Sequence, residues 1–151
     1  TSQWYSYWDD SAPIYICRQD DQGNRVEWET TAVPAEFQGD ALTFVFAGGM
    51  GYRGQPKTEG FAFAINGRPV LDFDLAQEKT DWKSADGAVT LTFLPKRDLD
   101  QDVMGQFYVT IPKNLLEPGK PCTLSVTSKG GGSQRWFGIN PWTVLPAGDQ
   151  K

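Results

Sequence analysis

Hydrophobic residues recur at every second position through most of this chain. Leu42, Phe44 and Phe46 share one side of an extended segment, and Thr43, Val45 and Ala47 share the other. Phe61, Phe63 and Ile65 alternate with two alanines, and Val89, Leu91 and Phe93 alternate with Thr90 and Thr92. Cys122, Leu124 and Val126 alternate with Thr123, Ser125 and Thr127. Period two with one polar side is the pattern of antiparallel strands packed on one face. It predicts strands over 3–8, 14–18, 25–30, 42–47, 60–66, 69–75, 88–94, 105–111, 121–128 and 135–139, with a further short one over 142–145. Trp28 shares a side with Val26 and reads as core, whereas Asp72 and Asp74 oppose Leu71, Phe73 and Leu75 and read as solvent-facing. The one helical expectation is a single turn over Asn114 to Glu117. So many short strands split by turns predict an all-β fold, a two-sheet antiparallel β-sandwich or jelly roll, as one domain over 1–151.

The turns carry their own signals. Asn66-Gly67 between two alternating segments predicts a tight hairpin, because both residues accept positive φ and match the twist of the flanking strands. Leu115-Leu116-Glu117-Pro118-Gly119-Lys120-Pro121 predicts a turn leading into a strand. Together these two motifs resemble the galactose-binding-like jelly-roll domains that accompany polysaccharide-degrading enzymes, including the sugar-binding domain of family-two glycoside hydrolases. The resemblance runs from Gly60 to Val126, under half of the chain. It implies a β-sandwich that binds carbohydrate or serves as scaffold beside a catalytic domain, and it admits a structural calcium.

Composition narrows the function classes. The 151 residues suffice for a real core, and 39% hydrophobic with 22% charged residues fits neither disorder nor a membrane span. The net charge of −5 argues against nucleic acid, which needs a basic surface. The absence of histidine removes Ser-His-Asp and Cys-His catalysis and the commonest transition-metal ligand. Two cysteines, Cys17 and Cys122, are too few for a cysteine zinc site. They either form one disulfide suited to an exported protein or pack as separate thiols. The chain opens at Thr1 without a signal peptide, which reads as a mature product or an excised module.

Aromatic residues suggest the chemistry. The chain holds six Trp, five Tyr and nine Phe. The phenylalanines follow the core pattern, but several Trp and Tyr fall beside polar groups or in glycine-rich segments. Trp4-Tyr5-Ser6-Tyr7-Trp8 would put Trp on one side and Tyr on the other, for packing near a sheet edge or for a partner. The segment Gly48 to Gly54, with Tyr52 and Arg53, reads as a long connection of the kind that carries function. Trp82 lies in the polar stretch Asp81-Trp82-Lys83, and Trp136 follows Arg135 and opposes Phe137 and Ile139. Asn140 and Trp142 flank Pro141. A pyranose offers an apolar C–H face for stacking and a rim of hydroxyls for hydrogen bonds. Tyr52, Arg53, Trp82, Arg135, Trp136, Asn140 and Trp142 therefore form the candidate ligand-binding set, provided they are exposed. Large aromatics that fill the core would give the same composition.

Two further chemistries are open to these residues. Asp98, Asp100 and Asp102 alternate as hard-cation ligands do, although Val103 and Val109 replace the glycine and glutamate of an EF-hand loop. An acidic turn between strands gives the same pattern. Catalysis without histidine would need a carboxylate pair for glycoside hydrolysis, or a Tyr with a basic neighbour such as Tyr52-Arg53 for a lyase. No spacing among the 19 acidic residues singles out such a pair. The sequence thus points to a noncatalytic carbohydrate-binding module of an exported polysaccharide-degrading enzyme. A structural accessory sandwich and a small glycan hydrolase or lyase are the alternatives.

Overall fold

The computed structural model describes residues 3–6, 13–19, 23–52, 59–74, 80–99, 102–132, 135–140 and 145–150, and for 3–6, 13–14, 97, 99 and 145–150 the description is of backbone. Twelve strands are found among them: β1 (Gln3–Ser6), β2 (Pro13–Arg18), β3 (Arg25–Ala32), β4 (Ala41–Gly51), β5 (Phe61–Ile65), β6 (Arg68–Phe73), β7 (Asp81–Lys83), β8 (Thr90–Leu99), β9 (Asp102–Pro112), β10 (Pro121–Ser128), β11 (Trp136–Ile139) and β12 (Leu145–Gln150). The predicted helical turn is a 3-10 turn over Lys113–Leu115.

All pairings are antiparallel and build two sheets that pack as a β-sandwich. The larger has the order β1-β2-β11-β4-β9-β8-β7, and the smaller has the order β3-β10-β5-β6. Strand β4 is the spine of the larger sheet. Its whole length pairs with β9. Its other edge is shared end to end, with β12 on Ala41–Val45 and β11 on Gly48–Gly51. At one side of the sandwich the edge strands β6 and β7 meet; at the other, β2 lies against β3 and β10.

The core follows from the alternation. Leu42, Phe44 and Phe46 pair with Ile111, Val109 and Phe107, so all six point into the sandwich and all are buried. From the smaller sheet, Val26, Trp28, Phe61, Phe63, Leu71, Phe73, Leu124 and Val126 face them. An aromatic chain crosses the interior. Trp28 meets Phe46 at 5.1 Å, Phe46 stacks on Phe107 at 5.3 Å, Phe107 touches Phe137 at 4.9 Å and Phe137 touches Phe73 at 5.7 Å. Each buried ring removes a large apolar area from water, worth about 1.5–3 kcal/mol, and ring contacts add about 0.5–1.5 kcal/mol per pair.

The Gly48–Gly51 segment is strand, not connection, because β9 and β11 satisfy its backbone on both edges. Ladder pairing there outweighs the poor strand propensity of glycine. The segment Asp81–Lys83 is strand β7, which alternation over three residues was too short to reveal. The further strand expected over 142–145 lies outside the described residues except at Leu145, which opens β12 (Leu145–Gln150). Cys17 and Cys122 are separate buried thiols, so no disulfide closes the chain between them. Burial pushes the Cys122 thiol up to about 11, and the Cys17 thiol donates to the Asn24 carbonyl at 3.0 Å.

Candidate functional site

The rigid turns of the sandwich gather at one end. Asn66 and Gly67 form the tip of the β5–β6 hairpin, both with positive φ, as the Asn-Gly pair predicts. The Asn66 carboxamide oxygen accepts the Thr123 N–H at 2.9 Å, and the Asn66 N–H donates to the Thr123 carbonyl, which pins the tip to the start of β10. The β7–β8 turn is held from within. The Ser84 hydroxyl donates to Asp86 Oδ1 at 2.6 Å, and the Ala88 N–H donates to the same oxygen at 3.0 Å. The Ser84 oxygen in turn accepts the Val89 N–H at 3.0 Å. These bonds favour the charged carboxylate: the Ser84 hydroxyl first, then the Ala88 N–H, hold the Asp86 carboxyl below the ordinary aspartate value. Both end on Oδ1, so Oδ2 keeps its acceptor capacity.

Between β6, the β7–β8 turn and the 3-10 turn lies an open cleft of about 400 Å³. Arg68, Ser84, Asp86 and Asn114 provide its polar groups, over Val70, Val89 and Leu115. It spans the two sheets, since Arg68 and Val70 belong to β6 and the other walls come from the turn between β7 and β8, the end of β9 and the 3-10 turn after it. Arg68 donates, Asn114 donates and accepts, Asp86 accepts, and Ser84, whose O–H is committed to Asp86, adds an acceptor. The volume lies within the ~300–1,000 Å³ of small-molecule sites, and the lining suits a neutral polar ligand with an apolar face.

The aromatic candidates lie elsewhere, and burial corrects the expectation of exposed stacking platforms. Trp82 is 3% exposed, because the exposed–buried–exposed pattern of β7 turns it inward onto Phe73 at 5.4 Å. Its indole N–H is buried with no hydrogen-bond acceptor among the described residues, a cost that the packing of the ring must offset. Tyr52, directly after β4, is 8% exposed and belongs to the core cluster. Trp136 is 7% exposed but lies on the outer face of the larger sheet. Asn140 is buried, and its N–H donates to the Ala47 carbonyl at 2.8 Å. Arg135 is half-buried, and its carbonyl accepts the Gln19 N–H. Arg53 and Trp142 lie outside the described residues. Trp136 and Arg135 are neighbours in sequence, whereas Trp82 lies strands away on β7, so the candidate set does not converge on one surface.

Trp136 instead builds a structural device. Gly51 lies between Trp136 on β11 and Asp102 on β9 in the register of the sheet. Lacking a side chain, Gly51 lets the indole lie across β4, where a Cβ would collide with the ring. The indole N–H reaches Asp102 Oδ1 at 3.1 Å. Partial burial raises the Asp102 carboxyl above the ordinary aspartate value, and the bond from Trp136 opposes that shift only in part.

This arrangement bears on the metal candidates. In the pairing of β8 with β9, Asp102 lies opposite Leu99 and Asp98 opposite Val103. Residues opposite each other share a face, so Asp98 and Asp102 lie on opposite faces of the hairpin. The alternation that would align them in one strand is reversed by the turn. Asp100 lies outside the described residues, and among those described no three acidic or cysteine side chains gather as metal ligands.

The cleft residues were legible only in part. Asn66-Gly67 located the start of β6, which carries Arg68 and Val70, but nothing in the sequence places Arg68 beside the Ser84–Val89 turn and Asn114, which are brought together by the contact of β6 with β7. Compared with protein-family models, with curated proteins and with solved structures, the chain matches none.

Proposed function

We propose that this β-sandwich is a noncatalytic carbohydrate-binding module whose glycan occupies the cleft between Arg68, Asp86 and Asn114. The observation that carries this reading is the cleft itself: hydroxyl-matching donors and acceptors set on locked turns around an apolar floor. Preformed turns reduce the ordering that a ligand must impose. Asp86 is the one carboxylate among the described lining residues, whereas glycoside hydrolysis ordinarily employs two, which supports binding over hydrolysis. With no aromatic ring among the described lining residues, affinity rests on hydrogen bonds that replace water contacts at small net gain. Dissociation constants of about 10 µM to 1 mM are expected. The module then serves to hold an exported polysaccharide-degrading enzyme near its substrate, with avidity amplifying weak contacts.

A second reading is favoured by the burial of Tyr52, Trp82 and Trp136. Aromatic area committed to internal packing suits an accessory sandwich that supports a linked catalytic domain and binds no sugar. A glycan array with the wild-type domain, Arg68→Ala and Asn114→Ala, with and without EDTA, separates the two. The binding reading expects a saccharide signal that falls at least tenfold in Arg68→Ala and is insensitive to EDTA. Silence across neutral and acidic glycans would leave the scaffold reading. Loss on EDTA alone would bring back a structural calcium.

A further inference from the structure

A second open cleft, of about 310 Å³, lies beside the first, lined by Ala35, Glu36, Phe37, Gln38, Lys113 and Pro118. The same short 3-10 segment serves both. Lys113 belongs to the second cleft, and Pro112, Asn114 and Leu115 belong to the first. The turn Lys113–Leu115 is therefore a ridge between two depressions at one end of the sandwich. It is fixed on both flanks. The Lys113 N–H donates to the Asp40 carbonyl at 2.7 Å, and the Leu116 N–H donates back to the Lys113 carbonyl at 3.1 Å.

We infer that the two clefts are consecutive subsites for one linear, uncharged oligosaccharide that crosses the ridge, an inference that rests on the carbohydrate-binding reading of the first cleft. Among the described lining residues each cleft holds one cation and one anion, Arg68 and Asp86 in the first and Lys113 and Glu36 in the second. Neither therefore presents the one-sided basic lining that a polyanionic chain would require. Each also combines those groups with apolar walls: Val70, Val89 and Leu115 in the first, Ala35, Phe37 and Pro118 in the second. The Lys113 ammonium lies 5.1 Å from the centre of the Phe37 ring, so the cation–π contact holds the ammonium at the rim of the second cleft. Its donors can then meet hydroxyls of a chain passing over the ridge. A chain that fills both clefts gains the second set of contacts without a second loss of translational freedom, so affinity should climb with chain length.

Calorimetric titration with β-1,4-linked glucose, mannose and xylose oligomers of one to six units tests this in the wild type, Arg68→Ala and Lys113→Ala. Both side chains are exposed, so both variants should keep the fold, which circular dichroism checks. In the wild type at least one series should tighten by tenfold or more between the shortest binder and the hexamer. Lys113→Ala should abolish most of that gain while leaving the shortest binder within twofold of wild type. Arg68→Ala should weaken every length. Binding that is independent of length, and unchanged in Lys113→Ala, would overturn the two-subsite inference and leave the single cleft standing. Absence of binding by every oligomer would overturn both.

Discussion

Two aspartates on this sandwich experience opposite environments. Asp86 stands on an exposed turn and accepts two hydrogen bonds from its own loop, which holds its carboxyl below the ordinary value. Asp102 lies on the outer face of the larger sheet beside Trp136, and burial holds its carboxyl above the ordinary value. At Asp86 the chain uses charge to stiffen a turn that walls the cleft. At Asp102 it keeps a carboxylate under an indole because the indole N–H, brought across Gly51, needs an acceptor. Local sequence produces the first arrangement; three strands distant in sequence produce the second.

The sharpest way to break the contrast is Gly51→Ala. Its Cβ would occupy the space of the Trp136 ring, and overpacking of this kind costs about 2–3 kcal/mol. Urea unfolding should show the midpoint fall accordingly, with indole fluorescence shifted red as Trp136 is displaced. Next comes Trp136→Phe, which keeps most of the apolar contact but removes the donor to Asp102. Leaving a partly buried carboxylate without it should cost about 1–2 kcal/mol in the same assay.

Smaller effects test the sign of each titration. The folded value of Asp102 is raised, so its favourable contribution is complete below the unfolded value near 3.8 and is lost as pH rises through the folded value. Wild type minus Asp102→Asn stability should therefore decline as pH increases from that region towards neutrality, and a flat difference would contradict the desolvation account. Asp86 is the reverse case. Its contribution is present above the unfolded value and disappears as pH falls through the lowered folded value. Asp86→Ala should be the mildest change, speeding hydrogen exchange of the Ala88 and Val89 amides at neutral pH and losing that effect in acid.

Much of the architecture was legible because alternation is a local property. Leu42, Phe44 and Phe46, Phe61, Phe63 and Ile65, and Leu124 and Val126 face the core as their period requires, and Trp28 follows Val26 inward. Asn66-Gly67 specified a hairpin because few other pairs accept positive φ at two successive positions. The failures share one cause. Trp82 and Tyr52 read as loop aromatics because their polar or glycine-rich neighbours mask strand character. Yet Trp82 is turned inward by pairing with Leu91, and the glycines preceding Tyr52 are strand because β9 and β11 pair with them.

The sequence alone determined that the chain is all-β, that its strands are antiparallel with one buried face, and that Asn66-Gly67 turns a tight hairpin. Only the tertiary structure decided that Gly51 makes room for Trp136, that Asp98 and Asp102 part company across a hairpin, and that Arg68, Asp86 and Asn114 share a cleft. The reason is physical: the side a residue faces depends on its neighbours along one strand, whereas what it meets there depends on registers and edge contacts set by chain segments far away.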